Sequence, residues 1–411
     1  MDSEDLLKTR YDETPYRDQV FEDLDLSRLL GLAKLFQLGP RDPKADDLRV
    51  LDLGCASGRH IRQQATRYPH VQFTGVDFSR AEIETGQKAI AEDGAINIEL
   101  IPADLRDLEI RAGDFDLILC HGAFSWVPDD VKERIFELCR TGLKRTGVAA
   151  IAYLTYPGWK QREALRELLA FRTAGIDEPQ EQIRESALLL RLLHAGYSAQ
   201  RENCHAQSLK EVVESMQRSS ANVFLHDELG GIHDPCYFIQ FVEWDSEWGM
   251  QYLSEVNLAT MALAGLPPKA MGILQMLAPD FLETQQLIDF LVNRSGRTSL
   301  IVRDDAPIAR ELCVDSLLGL QFTTGLRYVG AQDRPRAEHQ RFETRLGKTL
   351  ELEDPCQLAL LHRMLDSTTR APTLPDLETD AAKGNHPAPD VAQTLLSLIA
   401  RGFAEPRLSM N

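Results

Sequence analysis

The chain has 411 residues, 43% of them hydrophobic and 26% charged, with a formal net charge of −18 at pH 7 and a pI near 5.0. Such a length holds two or three domains with sizeable cores, and the acidic balance argues against nucleic acid or anionic membranes as partners. No apolar run reaches the roughly 18 residues of a membrane helix, and the start MDSEDLLKTRYDETPY lacks the basic and apolar regions of a secretory signal. The seven scattered cysteines form no CxxC and no zinc-spaced cluster, so a reduced, cytoplasmic protein without membrane insertion or structural metal is expected.

Apolar residues at helical spacing predict a helix over residues 20–38. Strand and helix then alternate: strands over 49–53, 72–78, 98–104, 115–122 and 148–154, and helices over 58–68, 79–93 and 128–143. Short links between such elements imply a parallel sheet with helices on both faces, an α/β, Rossmann-like arrangement. After YPGW (156–159) the pattern turns charged and helical through residue 220. Its apolar stripe of Leu165, Leu168, Leu169, Leu188, Leu189 and Leu192 needs a cover, from dimerisation or from intramolecular packing. Strand patterns return at 249–256 and 297–303, with a helix over 235–247 and helical sequence over 257–295. A sheet discontinuous in sequence and a separate small domain over 220–303 both accommodate them; strand count favours the first. His226 and His233, with Asp227, Glu228 and Asp234, match no metal-ligand spacing and read as a polar loop.

Residues 304–411 read as an independent module. Amphipathic patterns at 356–365 and 391–403 flank a Pro-, Asp- and Gly-rich loop, and a short apolar end suggests a winged-helix-like unit. Its composition is not basic, so a packing or partner surface is expected rather than a DNA reader. The expected division is 1–159, the core; 160–220, the helical insertion; 221–303, a segment completing the core sheet; and 304–411, the C-terminal module.

The segment VLDLGCASGRH (50–60) reads as a buried strand, a glycine turn and a helix start. A dinucleotide fingerprint needs Gly-x-Gly-x-x-Gly, and the spacing of Gly54 and Gly58 across Cys55, Ala56 and Ser57 does not match it. Asp52, two residues before the first glycine, is poorly placed against a pyrophosphate but suits a cation. S-adenosylmethionine (SAM) has an ammonium and a sulfonium, and no phosphate. Asp77, ending the second strand, is placed to accept from ribose hydroxyls. Asp104, after the third, is placed to accept from an adenine amino group, with Phe78 and Leu105 flanking the ring. His60 is a candidate for the SAM carboxylate, and the Cys55 and Cys120 thiols suit packing. Asp is common in turns and at helix caps, so these acids carry the reading only together with the turn.

Through residues 49–126 the chain resembles the class I SAM-dependent methyltransferases. YDETPY (11–16), VLDLGCASG (50–58), CHGAFSWVP (120–128) and YLTYPGW (153–159) resemble members carrying a methyltransferase regulatory domain, and 224–256 with 287–303 are similar to that domain. The resemblance implies a seven-stranded sheet. It also points to bacterial protein-lysine methyltransferases acting on outer-membrane surface protein. Members often have Asn near the position of His60, and Ser-Tyr-Asn where this chain has Ala152-Tyr153-Leu154. If that Asn orients the acceptor, Leu154 bears on the acceptor class.

Methyl transfer needs a positioned acceptor and exclusion of water. An amine must also lose its proton, and aromatic faces hold alkylammonium groups. Tyr153, at the end of strand five, is a catalytic candidate, as is His121, which can accept a proton or contact the methionine part of SAM. Tyr11 and Tyr16 suit a lid, while Trp126, Tyr156 and Trp159 serve equally as packing. The expected activity is methyl transfer from SAM to a protein lysine. A small-molecule methyltransferase and a non-catalytic SAM-binding interaction protein remain alternatives.

Overall fold

The computed structural model describes residues 19–39, 47–261, 267–278, 280–329, 340–344, 347, 349–366, 370–384 and 387–409. Strands β1 (Arg49–Leu53), β2 (Gln72–Asp77), β3 (Ile98–Pro102), β4 (Phe115–Cys120), β5 (Leu143–Leu154), β6 (Met250–Glu255) and β7 (Gly296–Arg303) form one sheet. Their order is β3-β2-β1-β4-β5-β7-β6. Every residue of β4 is buried, as expected for a central strand covered on both faces. The two late strands therefore join the first five across a helical insertion.

Two expectations change here. The sheet is mixed rather than parallel, because β7 runs antiparallel to both β5 and β6. Sequence periodicity carries no strand direction, so the alternation of early strands and helices did not extend to the last. Strand β5 also begins at Leu143, five residues before the expected 148, where the helix Asp129–Gly142 passes directly into it.

One face of the sheet is covered by Phe124, Phe136, Phe241 and Tyr252 with their neighbours. The other lies under a larger core that runs from the helix Leu26–Leu35, through Val50, Leu117 and Leu300, to Leu361 and Leu395. The C-terminal region is therefore not an independent module. Its last strand (Glu405–Arg407) packs on that first helix so closely that a Cβ on Gly31 would stand 2.6 Å from the Pro406 carbonyl oxygen. Arg407 also pairs with Asp25 at 2.8 Å. The stretch read as loop holds a helix, Leu374–Ala382, whose start is closed by Thr373 and Asp376. Its Pro375 sits in the first turn, where proline costs no hydrogen bond, so a residue that signals a loop begins a helix.

The insertion forms helices Lys160–Thr173, Pro179–Ser198 and Cys204–Arg218. Leu165, Leu169 and Leu190 pack inside it with Val213, Met216 and Phe224, while Leu188 and Leu192 stay exposed. Intramolecular packing thus covers only part of the expected stripe.

Candidate functional site

The glycine turn sits where expected, at the carboxyl end of β1. Gly54 (φ +76°), Ala56 (φ +49°) and Gly58 (φ +69°) take left-handed backbone, which explains glycine at two of these positions. A Cβ on Gly54 would stand 2.8 Å from Ala123 Cβ, so the turn also admits close approach of the loop after β4. The turn's N–H groups do not wait for a ligand. Those of Gly54 and Cys55 donate to the Val76 carbonyl at 2.8 and 3.1 Å, and that of Gly58 donates to the Cys55 carbonyl at 2.9 Å. The Ala56 N–H donates to Asp77 Oδ2 at 2.8 Å, and the Ser79 N–H to its Oδ1 at 2.9 Å. The turn is thus fastened to β2, and Asp77 is as much its clamp as a ligand group.

Asp52, Asp77 and Asp104 lie at or just beyond the carboxyl ends of β1, β2 and β3, the edge where open α/β sheets bind ligands. Asp52 and Asp77 are buried. Asp104 caps a short turn by accepting from the Arg106 N–H at 3.0 Å, and it pairs with the Arg106 guanidinium at 3.2 Å. Leu105 is buried and Phe78 half-buried. The Cys55 side chain packs into the core beside Gly75, consistent with a small packing residue.

His60 departs from its expected role. Its Nδ1 accepts from the Phe21 N–H at 3.3 Å, and its Nε2 lies 2.9 Å from Gln64 Nε2. Gln64 in turn donates to the Leu24 carbonyl at 3.2 Å and accepts from the Leu26 N–H at 2.7 Å. The pair fastens the segment Phe21–Leu24, a strap, over the site. Burial lowers the His60 pKa to about 4, so the imidazole is neutral at pH 7. His121, just past β4, is likewise pushed down to about 4 by burial and by His60. The Phe21 ring lies 3.8 Å from the His121 ring, and His121 Nδ1 is buried without a partner among the described residues.

A cavity of about 610 Å³ opens beside the turn, at the carboxyl ends of β4, β5 and β6 and the start of β7. The strap forms one wall, with Phe21, Glu22, Asp23 and Leu24. His121, Trp126, Tyr153 and Leu154 form a second. The third, Glu255, Thr260, Arg294 and Arg297, went unread in the sequence; an acid ending a strand at the carboxyl edge of the sheet was its only signal. Tyr153 is mostly core: its ring stacks on Phe241 at 4.0 Å, and its hydroxyl lies 3.0 Å from Ser299 Oγ. Burial holds its pKa well above 10, so it remains protonated.

Tyr156 is not among the cavity-lining residues and donates to Glu163 at 2.8 Å. Trp159 is buried, edge-on to Trp126 at 6.4 Å. Tyr11 and Tyr16 lie outside the described residues. The acid-rich edge suits ammonium, ribose and adenine amino groups, and the turn itself carries no cationic side chain to take a phosphate.

A family model described as a methyltransferase domain matches residues 50–147, and one described as a predicted methyltransferase regulatory domain matches residues 220–303. Protein RP028 of Rickettsia prowazekii is 34% identical over 239 residues, which are 57% of this chain and 93% of RP028. Protein RP789 of the same organism is 32% identical over 75% of this chain, and the match spans 55% of RP789, about half its length. The structure of PKMT2 from Rickettsia typhi in complex with AdoHcy superimposes with a TM-score of 0.83 at 28% identity, covering 96% of this chain and 78% of PKMT2.

Proposed function

This chain belongs to the SAM-dependent methyltransferases that carry a methyltransferase regulatory domain, and we propose that its methyl acceptor is an amine, the side chain of a protein lysine. The observation that carries this reading is the cavity beside the glycine turn, walled by aromatic and acidic side chains. The likeness to PKMT2 from Rickettsia typhi, solved in complex with AdoHcy, supports SAM as the methyl donor.

When bound, SAM supplies a methyl group on a sulfonium, open to in-line displacement. Asp52, with the turn Gly54, Cys55, Ala56 and Gly58, would hold its methionine part, Asp77 its ribose, and Asp104, Phe78 and Leu105 its adenine. His121 lines the cavity, and its neutral imidazole, with an Nδ1 unpartnered among the described residues, would contact the methionine part of SAM or the acceptor. His60 acts on the site through the strap, which excludes water. The acceptor amine would enter from the cavity as its neutral base, having left its proton in solution, and would take the methyl group as the C–S bond breaks and AdoHcy leaves.

The test is incubation of the purified protein with methyl-labelled SAM and a cell lysate. Label recovered as methyl-lysine from the protein fraction is the expected result. Label confined to small molecules would overturn the lysine reading in favour of a small-molecule enzyme, and SAM binding without any transfer would leave a non-catalytic binder.

A further inference from the structure

Glu255 closes β6 and is the least expected group in the cavity wall. Its side chain is 3% exposed. Its Oε1 takes three donors: Arg297 Nη1 at 2.5 Å, Ser299 Oγ at 2.9 Å and the Tyr252 hydroxyl at 3.0 Å. Its Oε2 receives none from the described residues and is not sealed in the protein interior, unlike the carboxyl oxygens of Asp245. A buried carboxylate ordinarily has its lone pairs filled. Here three donors crowd one oxygen, holding the carboxylate in one orientation and turning the other oxygen toward the cavity.

The two arginines of the same wall are engaged by the protein's own acids and carbonyls. Arg297 Nε and Nη2 donate to the two Asp289 carboxyl oxygens at 2.9 and 2.7 Å, and Nη2 also donates to the Gln285 carbonyl at 3.1 Å. Its third nitrogen goes to Glu255, and its side chain is 0% exposed. Arg294 donates to Asp289 at 2.6 Å and to the Thr260 carbonyl at 2.6 Å. Asp289 and Glu255 thus balance the two guanidiniums, and the strap adds Glu22 and Asp23 to the opposite wall.

We infer that Glu255 Oε2 is the contact for the acceptor's cationic nitrogen, binding the alkylammonium through a charge-assisted hydrogen bond and selecting amines over neutral acceptors. The inference rests on the amine-acceptor reading above and names the residue that reads the charge. The hydroxyls of Tyr153, Ser299 and Tyr252 act behind it as positioning groups. Tyr153 donates to Ser299, which donates to Glu255, so the catalytic candidate found from sequence serves to orient a carboxylate that was not.

The test uses the AdoHcy-loaded full chain and two probes of matched shape, n-butylammonium and 1-butanol, with dissociation constants measured by ligand-observed NMR. Wild type is expected to prefer the cation by about tenfold or more, the scale of a hydrogen bond to a charged group. Glu255→Gln is expected to bring the ratio to within about twofold while AdoHcy binds as before. Glu255→Asp, which keeps the charge but withdraws it by one methylene, is expected to fall between. A wild-type ratio near one overturns the assignment even if neither variant folds, and so does an unchanged ratio in a folded Glu255→Gln. Failure of the lysine reading looks different: in the labelling experiment, no methyl-lysine would form.

Discussion

The glycine-turn edge and the cavity wall sit side by side and are held in opposite ways. The turn is fastened by backbone: its N–H groups go to the Val76 carbonyl, the Cys55 carbonyl and the Asp77 carboxylate, all within about one βαβ unit. The wall is fastened by buried charge: Glu255 from β6, Arg297 from β7, Asp289 from the helix Phe281–Val292 and Arg294 from the link after that helix meet only in the folded chain. A site for an invariant cofactor suits a short, rigid backbone device. A site that must read an acceptor's charge suits side chains, which can change without rebuilding the turn.

The sharpest way to break this contrast is at Arg297. Removing a guanidinium that is 0% exposed leaves Glu255 as an uncompensated buried acid and Asp289 with Arg294 alone. Arg297→Met is expected to cost about 3–5 kcal/mol, measured by denaturant unfolding. AdoHcy affinity at temperatures where the variant stays folded should be unchanged, because nothing in the turn depends on Arg297. A matching loss of cofactor affinity would mean that turn and wall are one unit.

Asp77→Ala is the reciprocal probe, with a somewhat smaller expected cost. It strands the buried Ser79 N–H, at about 1–3 kcal/mol, and leaves the half-buried Ala56 N–H to solvent. AdoHcy affinity should fall at least tenfold by calorimetry, while discrimination between n-butylammonium and 1-butanol is retained. A loss of that discrimination with cofactor binding intact would reverse the roles given to the two regions.

The same contrast explains what could be read from sequence. The strand, turn and helix around Gly54 and Gly58 are contiguous, so their glycines and acids stand at readable spacings. The wall has no such signature, since Glu255 and Arg297 are 42 positions apart and their pairing depends on β6 and β7 being neighbours. The reversed direction of β7 was unreadable for the same reason. The Phe21–Leu24 strap was legible only as an apolar start to a helix, and His60 as a ligand group, because the bond between them spans 39 positions. Apolar periodicity found the C-terminal helices, but it could not show that their buried face shares a core with the helix Leu26–Leu35.

The strap offers a pH test of the boundary between the two regions. His60 and His121 have pKa values of about 4 in the folded chain, against 6.5 for the model imidazole. Between those values the unfolded chain binds more protons, so stability rises with pH there and is lost as pH falls from 6.5 toward 4. The expected loss is on the order of 2–3 kcal/mol, read as a falling melting temperature. His60→Gln should flatten part of that limb and weaken retention of n-butylammonium more than of AdoHcy. An unchanged acid limb would mean that the strap opens before His60 titrates.

Asp245 gives an effect of the opposite sign. It lies on the helix Phe238–Glu247, behind the wall, 0% exposed, and neither carboxyl oxygen has a partner among the described residues. Burial raises its pKa to about 8, with Arg310 as the opposing influence. Here the folded chain holds the extra proton between about 4 and 8, so stability falls as pH rises through that window. Asp245→Asn keeps the shape and removes the titration. It should be neutral near pH 5 and more stable than wild type by about 5 kcal/mol near pH 8. Measured against the His60 limb, the two slopes separate the strap in front of the cavity from the core behind it. If Asp245→Asn instead destabilised the chain at every pH, the carboxyl would be answering a donor as the wall acids do, and the buried charges around β6 would form one network rather than a wall with an isolated acid behind it.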